Sequence, residues 1–286
     1  MKITEGCFEA TGHTSIICDF SPPRSGDPAT VDQAQIEANF ISVAYNPGRA
    51  VRTNSAMLAA AIQRSGKDAV FTVATRDMNK LALQSQLLGA QMLGLQNVVV
   101  VQGDPFGGND RSRVASVNDY QPTGLISAIA EMNQGRDFKE GNLRTPTDFC
   151  IGATVDLGKP IEEEVKLAVR KVRAGSEFLI TQPIFNVDHV GRYRESYGYH
   201  ADKAGSHPVY FGLQILEKDG VLFSSVPESV KAELESGRSG VDIALELYEE
   251  FQGARLYNIY LMPPIKRGGA RNYEAAKEFL QKVNRI

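Results

Sequence analysis

The chain has 286 residues, which is enough for one large domain or two ordinary ones. A hydrophobic content of 42% and a charged content of 23% are typical of a globular protein, and the net charge of -3 excludes a general nucleic-acid surface, which needs a basic excess. No run reaches about 18 uninterrupted apolar residues, so we expect no membrane span. The N-terminus has no apolar signal segment, and Cys7, Cys18 and Cys150 are widely spaced. We therefore expect a reduced, cytoplasmic protein with neither disulfides nor a zinc site, and with Cys18 and Cys150 filling the core.

Short β-branched runs alternate with longer helical patterns along the whole chain, without a linker or an internal repeat. We predict strands at 15–20, 39–45, 69–75, 97–102, 149–155, 178–184, 208–215 and 255–262. We predict helices at about 29–37, 55–66, 79–94, 122–134, 160–175 and 187–198, a pair within 226–253, and a last one at 270–284. This alternation predicts one (β/α)₈ TIM barrel over residues 1–286. The competing open, doubly wound sheet is disfavoured because no glycine-rich dinucleotide turn follows any strand.

Three predicted strands end in a polar side chain just before a proline. They read DFSPP at 19–23, QGDP at 102–105 and TQP at 181–183. Proline supplies no N–H to a strand ladder, so each strand stops there. Because the C-terminal ends of barrel strands form the active-site face, we expect Asp19, Asp104 and Gln182 to lie at that face.

Taken together and in order, these strand ends resemble the methylenetetrahydrofolate reductase family. The family's Glu-Phe-Phe-Pro-Pro strand end reads DFSPP at 19–23, and its Val-Thr-Tyr-Gly segment reads VAYN at 43–46, followed by Arg-Thr at 52–53. Its Arg-Gly-Asp-Pro-Pro end reads QGDPF at 102–106. Its Ala-Gly-Ala-Asp-Phe-x-Ile-Thr-Gln-x-x-Phe stretch reads AGSEFLITQPIF at 174–185. The resemblance covers roughly residues 15–195.

The resemblance implies a flavin-containing barrel that passes hydride from NADH or NADPH through FAD to 5,10-methylenetetrahydrofolate, giving 5-methyltetrahydrofolate for methionine synthesis. Asp19 matches the family's glutamate and is the implied general acid, which protonates an amine nitrogen as the folate ring opens. Asp104 matches an aspartate that contacts the pterin and adjusts the flavin, and Gln182 matches a glutamine that orients the folate. Phe185 is a candidate contact of the pterin or the flavin.

Each of these four residues also has a purely structural interpretation. Asp19 could cap the next turn or pair with an arginine at the barrel mouth, and Asp104 could form an Asx turn before Pro105. Gln182 could satisfy strand-end backbone, and Phe185 could belong to the core.

The flavin contacts of the family are only partly present. Its histidine, arginine and Tyr-Pro-Glu-x-His-Pro positions read Val70, Gln102 and VDLGKP at 155–160. The candidate cofactor contacts are Thr53, Thr72, Gln102, Gly103, Asp104, Gly152, Ala153, Lys159, Arg170 and Lys171. Arg170 and Lys171 match an Arg-Lys pair that contacts the adenine nucleotide in the family, and cations suit a diphosphate. They could equally be a solvated helix end that complements the helix dipole.

Other functions on the same barrel stay open. Hydride could pass directly from the nicotinamide to the folate, or the protein could be a non-redox folate methyltransferase. It could also be a folate-binding subunit that needs a partner to supply electrons, and a homo-oligomer is open as well. PPIKRGGAR at 263–271 is either a phosphate-binding loop or a plain connection. His189, His200 and His207 lack the spacing of a metal site.

Overall fold

The computed structural model describes residues 1–6, 13–200, 207–222 and 226–284, so Cys7 lies outside the described residues. Eight strands in this part of the chain form a closed barrel in chain order, and the first pairs in parallel with both the second and the last. The strands are β1 (Ser15–Phe20), β2 (Phe40–Val43), β3 (Ala69–Ala74), β4 (Asn97–Val101), β5 (Cys150–Val155), β6 (Phe178–Pro183), β7 (Val209–Gln214) and β8 (Asn258–Met262). The predicted (β/α)₈ barrel is therefore confirmed.

The helices of the described residues form a layer around the barrel. They are α1 (Ser55–Arg64), α2 (Lys80–Met92), α3 (Pro122–Asn133), α4 (Ile161–Arg173), α5 (Asp188–His200), α6 (Glu228–Glu235), α7 (Gly240–Gly253) and α8 (Tyr273–Val283). None of these helices has the length and apolar character needed to cross a membrane.

Two predicted elements differ from the structure. The helix expected at 29–37 is a 3₁₀ helix at Pro28–Ala34. Asp27 caps its N-terminus, where the Asp27 side chain accepts the Ala29 N–H. Short helical pieces commonly take this tighter form. The strand expected from residue 255 begins at Asn258, because residues 254–256 complete the end of α7: Leu256 N–H donates to the Phe251 carbonyl at 2.8 Å.

Side chains from alternate strand positions separate the barrel interior from the layer under the helices. The interior cluster comprises Ile3, Ile17, Phe40, Val70, Val99, Cys150, Phe178, Ile180 and Tyr210. Ile3 closes the N-terminal end of the barrel, and its N–H donates to Asn97 Oδ1 at 2.9 Å. Cys18 and Cys150 are buried free thiols, as expected, and burial raises the pKa of Cys150 to about 11. Because the other end of the barrel is closed, the C-terminal strand ends form its open mouth.

Candidate active site

Polar side chains replace the apolar interior at the C-terminal ends of the strands. On β1 the interior positions read Ser15, Ile17 and Asp19, so the last of them brings a carboxylate to the mouth. Other strands also place polar side chains near their C-terminal ends, and a cavity of about 240 Å³ lies among these side chains. Its polar lining consists of Asp19, Ser42, Tyr45, Thr72, Thr154, Thr181, Gln182, Tyr260 and Arg271.

Asp19 is the centre of a buried hydrogen-bonded cluster in this mouth cavity. The Tyr260 hydroxyl donates to Asp19 Oδ1 at 2.9 Å, and Arg271 Nε donates to Oδ2 at 2.7 Å. The side chains of Asp19 and Arg271 are only 5% and 9% exposed. A buried ion pair gains little net stability because both charges lose their hydration, so its retention points to function rather than to folding.

Asp19 also influences the protonation of the two residues that bond to it, Arg271 and Tyr260. Burial opposes the charge of Arg271, but the attraction of Asp19 and their hydrogen bond outweigh it, so the pKa of Arg271 is raised. Burial, followed by the charge of Asp19, raises the pKa of Tyr260 well above that of an ordinary phenol. Arg271 therefore stays a cation and Tyr260 stays a neutral hydrogen-bond donor across the working pH range.

The segment at 263–271, a candidate phosphate loop, delivers Arg271 to the mouth. Arg271 Nη1 donates to the Gly269 carbonyl at 2.9 Å, and Ser21 Oγ donates to the same carbonyl at 2.7 Å. Arg52 bridges this segment to the end of β1, because its guanidinium donates to the carbonyls of Pro22 and Gly268. The last cation of the segment is thus held against Asp19, whereas Lys266 and Arg267 are exposed.

A second cavity, of about 460 Å³, continues from the mouth between β4, β5 and the helices that follow them. Both cavities are lined by Val101, Thr154 and Gln182, so they are contiguous. Lys171 is buried in this groove, and its Nζ donates to the Thr154 carbonyl at 2.6 Å. Burial lowers the pKa of Lys171. Lys159 and Arg170 add two more cations at the exposed rim, while Asp156 and the buried Glu164 place two carboxylates in the same lining. The groove therefore has a small excess of positive charge, which suits an anionic ligand.

The structure brings part of the predicted site together. Asp19, Thr72 and Gln182 line the mouth cavity. Gln102, Lys159, Arg170, Lys171 and, again, Gln182 line the groove. The arginine partner that sequence reasoning left open for Asp19 is present as Arg271.

The loop between β4 and α3 keeps Asp104 away from both cavities. The Asp104 side chain is exposed, and its carbonyl accepts Arg76 Nη1 at 2.7 Å. Gly103 precedes it with φ +85°, and a Cβ there would lie 3.2 Å from the Cβ of Arg76. Gly103 is therefore a turn residue beside Arg76, and the pterin contact of Asp104 stays a prediction.

Four other candidates have structural surroundings of their own. Thr53 Oγ1 donates to the Ser25 carbonyl at 2.6 Å, in the connection that follows β1. A Cβ on Gly152 would lie 2.2 Å from the Phe178 ring, so this glycine makes room for an interior aromatic. Ala153 is fully buried between the barrel and the helices. Phe185 packs against the core and lines a separate cavity of about 270 Å³.

Sequence reasoning missed several residues of the mouth. Tyr260 and Thr154 lie inside β8 and β5 and line the mouth cavity, so an inward-facing position near the C-terminal end of a strand is the signal that could have identified them. Arg76 lies two residues beyond β3 and donates to the Asp104 carbonyl in the loop after β4. Gln214, at the end of β7, is a fourth. Tyr210 faces the interior while Phe211 and Leu213 face the helices, so Gln214 also faces inward. It is 2% exposed, and no residue of the described part of the chain bonds to its amide.

Comparisons with known proteins matched a family sequence model and several solved structures. A sequence model described as methylenetetrahydrofolate reductase matches residues 6–212. An uncharacterised protein from Clostridium thermocellum that binds two copies of 5-methyl-5,6,7,8-tetrahydrofolic acid superposes with a TM-score of 0.67 at 12% identity, covering 98% of each chain. Tryptophan synthase from M. tuberculosis, in its aminoacrylate-bound form, superposes with a TM-score of only 0.46 at 15% identity, over 73% of this chain and 78% of that one.

Proposed function

The chain belongs to the methylenetetrahydrofolate reductase family, and from that premise we propose that it reduces 5,10-methylenetetrahydrofolate to 5-methyltetrahydrofolate with electrons from NADH or NADPH. The observation that carries the proposal is the Asp19–Arg271–Tyr260 cluster, which lies at the strand end where the family has its acidic residue. Folates and nicotinamide dinucleotides are solutes of the cytoplasm, which is the location we propose.

The chemistry of the mouth supports a pterin as the bound group. A pterin edge presents ring N–H and amine donors beside carbonyl and ring-nitrogen acceptors. Gln182 can both donate and accept, and each Asp19 oxygen has a lone pair left after its protein bond. The methyltetrahydrofolate bound by the structural neighbour is a molecule of the same class as the proposed product.

Opening the folate ring requires a proton at an amine nitrogen, and Asp19 is the candidate donor. An ion pair with Arg271 requires Asp19 to be ionised, and an ionised carboxylate has no proton to give. We therefore propose that the pterin displaces Arg271 from Oδ2. Asp19, freed of that cation, would then pass a proton from solvent to the amine nitrogen. Tyr260 keeps Oδ1 oriented throughout.

The groove fits the diphosphate of a dinucleotide cofactor. Lys171 has three N–H donors and uses one on the Thr154 carbonyl, while Arg170 and Lys159 stand at the rim. FAD, which the family uses, would be held there by these three cations, and it would supply hydride transfer to the folate when bound.

One feature favours a second candidate, direct hydride transfer from NAD(P)H to the folate. The position of the family's histidine is Val70, which is buried in the interior cluster, and the position of its arginine is Gln102, which carries no charge. The same groove cations would then hold the diphosphate of the nicotinamide dinucleotide.

An absorbance spectrum of the purified protein, with and without added FAD, together with a folate-dependent NAD(P)H oxidation assay, tests both candidates. Flavin bands and folate-dependent oxidation support the FAD enzyme, whereas a colourless protein with the same oxidation supports direct transfer. Lys171→Met should weaken the bound dinucleotide in either case, and Lys166→Met, on the exposed side of α4, is its matched control. Folate binding without NAD(P)H oxidation would overturn the reductase and leave the non-redox folate methyltransferase and the folate subunit whose electrons come from a partner.

A further inference from the structure

Helix α2 presents an uncharged outer surface. The sequence has no Asp, Glu, Lys or Arg between Lys80 and Asp104, a stretch that contains nearly all of this helix. The inner face buries Leu83, Leu87 and Ala90 against the barrel. A surface helix ordinarily carries charges on its opposite face, so the neutral outer face needs an explanation.

The outer face carries a regular stripe of residues, the α2 stripe, which consists of Leu81, Ser85, Leu88 and Met92. The spacing of four, three and four residues is that of a coiled-coil seam. Leu81 is 64% exposed, Leu88 is 40% exposed and Met92 is 84% exposed. Few large apolar side chains of the described residues are this exposed, and three of them share this one stripe.

The α2 stripe is complementary to itself when two copies run antiparallel. Its centre lies midway between residues 85 and 88, so a two-fold axis there opposes Leu81 to Met92 of the second copy. The same axis opposes Leu88 to Ser85, a large side chain to a small one, as interlocking helices require. Gly89, beside the stripe, lets the two backbones approach.

The one charged residue of the helix, Lys80, favours the same arrangement. Lys80, at the N-terminal end of α2, is unfavourable for its own helix dipole. In an antiparallel pair it lies beside the C-terminal end of the partner helix, where a cation is favourable. Within the stripe there is no charge that the two-fold axis would place against its own copy.

The available area corresponds to a weak dimer. A helix of 13 residues is about 20 Å long and packed helices lie about 8–10 Å apart, so its outer face offers on the order of a few hundred Å² per copy. A standard interface buries about 800 Å² per partner, so a contact below that size is expected to be reversible. Met57, half exposed on the neighbouring α1, extends the apolar surface.

We infer that α2 is a homodimer interface, in which a second copy of this chain packs antiparallel on the α2 stripe about a two-fold axis. The inference goes beyond the proposed activity and does not depend on it. The interface lies on the outer wall of the barrel, away from the mouth cavity and the groove.

Sedimentation velocity over a concentration series tests the interface. We expect a dimer whose dissociation constant rises about tenfold or more in Leu88→Glu, because a charge would be buried against the partner. Tyr199→Glu, at an 83% exposed position on α5, is the matched control and should leave the dimer intact. A monomer at every concentration, or a dimer unaffected by Leu88→Glu, would overturn the inference.

Cysteine cross-linking tests the register and does not rely on a destabilising change. Leu81→Cys/Met92→Cys, in a Cys7→Ser background, should form a covalent dimer on mild oxidation because residue 81 meets residue 92 of the partner. Each single variant should stay uncross-linked, since equivalent residues are about 16 Å apart along the helix axis. Cross-linking of either single variant, or no cross-linking of the double variant, would rule out the antiparallel register.

Discussion

The two ends of the barrel handle charge in opposite ways. At the closed end, the N-terminal amine pairs with Asp68 at 2.8 Å and Lys2 pairs with Asp148 at 2.5 Å, with at least one partner of each pair well exposed. At the mouth, Asp19 and Arg271 are both buried. Exposed pairs stabilise a fold little, and a buried pair costs hydration. The closed end is thus stabilised mainly by apolar packing around Ile3. The mouth retains buried polar groups that stability does not require.

The backbone does not share this contrast, because non-glycine residues with a positive φ occur at both ends of the barrel. Beyond β2, on the mouth side, Asn46 and Arg49 have φ values of 40° and 57°. Before β8, at the closed end, Arg255 has φ 56°. Arg49 also joins two mouth loops through its 3.3 Å contact with Asp110. The two ends therefore differ in the burial of their charges and not in the strain of their backbone.

The largest effect is expected for Asp19→Asn at the mouth, and the same substitution of Asp148 at the closed end is its control. Asp19→Asn should reduce folate-dependent NAD(P)H oxidation by about 10²–10⁴-fold, because the carboxyl that delivers the proton is lost. Any NAD(P)H oxidation with a quinone acceptor should be retained. Asp148→Asn, which breaks the pair with Lys2, should leave both activities unchanged. Equal losses in the two variants would remove the functional distinction between the ends.

For Ile3, at the closed end, we expect substitutions to lower stability and to leave activity unchanged. Ile3→Ala should lower the free energy of unfolding by about 2–5 kcal/mol, because it leaves a cavity among the interior side chains. Ile3→Val should cost about 0.5–1.5 kcal/mol. Urea unfolding measures both variants, and their kcat/KM at a temperature where they are folded should equal that of the unmodified protein. A loss of kcat/KM by folded Ile3→Ala would show that the two ends are coupled.

Lys171 should make cofactor binding sensitive to alkaline pH. Burial lowers its pKa below the usual 10.5, so the ammonium, and with it the dinucleotide affinity, is lost as the pH rises through that lowered value. Lys171→Met should weaken binding by about 10–100-fold at neutral pH, since a hydrogen bond to a charged group contributes about 1.5–3 kcal/mol. Lys171→Arg should bind without the alkaline decline. Titration calorimetry with FAD and with NADH from pH 7 to 10 measures these changes, and identical profiles for Lys and Arg would contradict the assignment.

The smallest effect is expected at Glu177, which lies near Lys2 and Asp148 at the closed end. Burial is the largest cause of a pKa raised above 4.5, so the folded state favours the protonated carboxyl. The stability this provides is fully present below the unfolded pKa and is lost as the pH rises through the folded pKa. Glu177→Gln should therefore gain at most about 0.5 kcal/mol at pH 7, because Glu177 is half exposed and screened, and nothing at pH 4. Thermal unfolding at the two pH values checks this, and a gain of equal size at both would exclude titration as its cause.

Local patterns predicted the secondary structure well because each element carries its own signals. Strand β1 was predicted with its observed bounds, since a run of mostly apolar residues that ends in Asp19 and Phe20 is followed, after Ser21, by a Pro-Pro pair. Helix α4 was predicted between Pro160 and Gly175, which flank the observed helix. The predicted α-helix after β1 was wrong. In a segment of seven residues the hydrogen bonds of an α-helix do not offset the cost of nucleating it, and the segment forms a 3₁₀ helix instead.

The candidate site was predictable in part, for a reason visible in its residues. The strand-end rule identified Asp19 and Gln182, which depend only on where a strand stops. The family resemblance implied Gly152 and Ala153 as cofactor contacts, but their surroundings are decided by packing: Phe178 occupies the space that a side chain at 152 would need. No local pattern in a strand reveals which distant ring lies against it.

The sequence by itself determined the alternation of strands and helices and the barrel, because these depend on periodicity and on turn residues within short stretches. It also indicated the family, through the resemblance of four short motifs in order. Only the tertiary structure decided the partners of Asp19, since Tyr260 and Arg271 are 241 and 252 residues away along the chain. Closure of the barrel brings β8 beside β1, and this register sets Tyr260 and the following loop against the first strand. A long-range contact of this kind follows from how eight strands close on one another, and no single stretch of sequence encodes it.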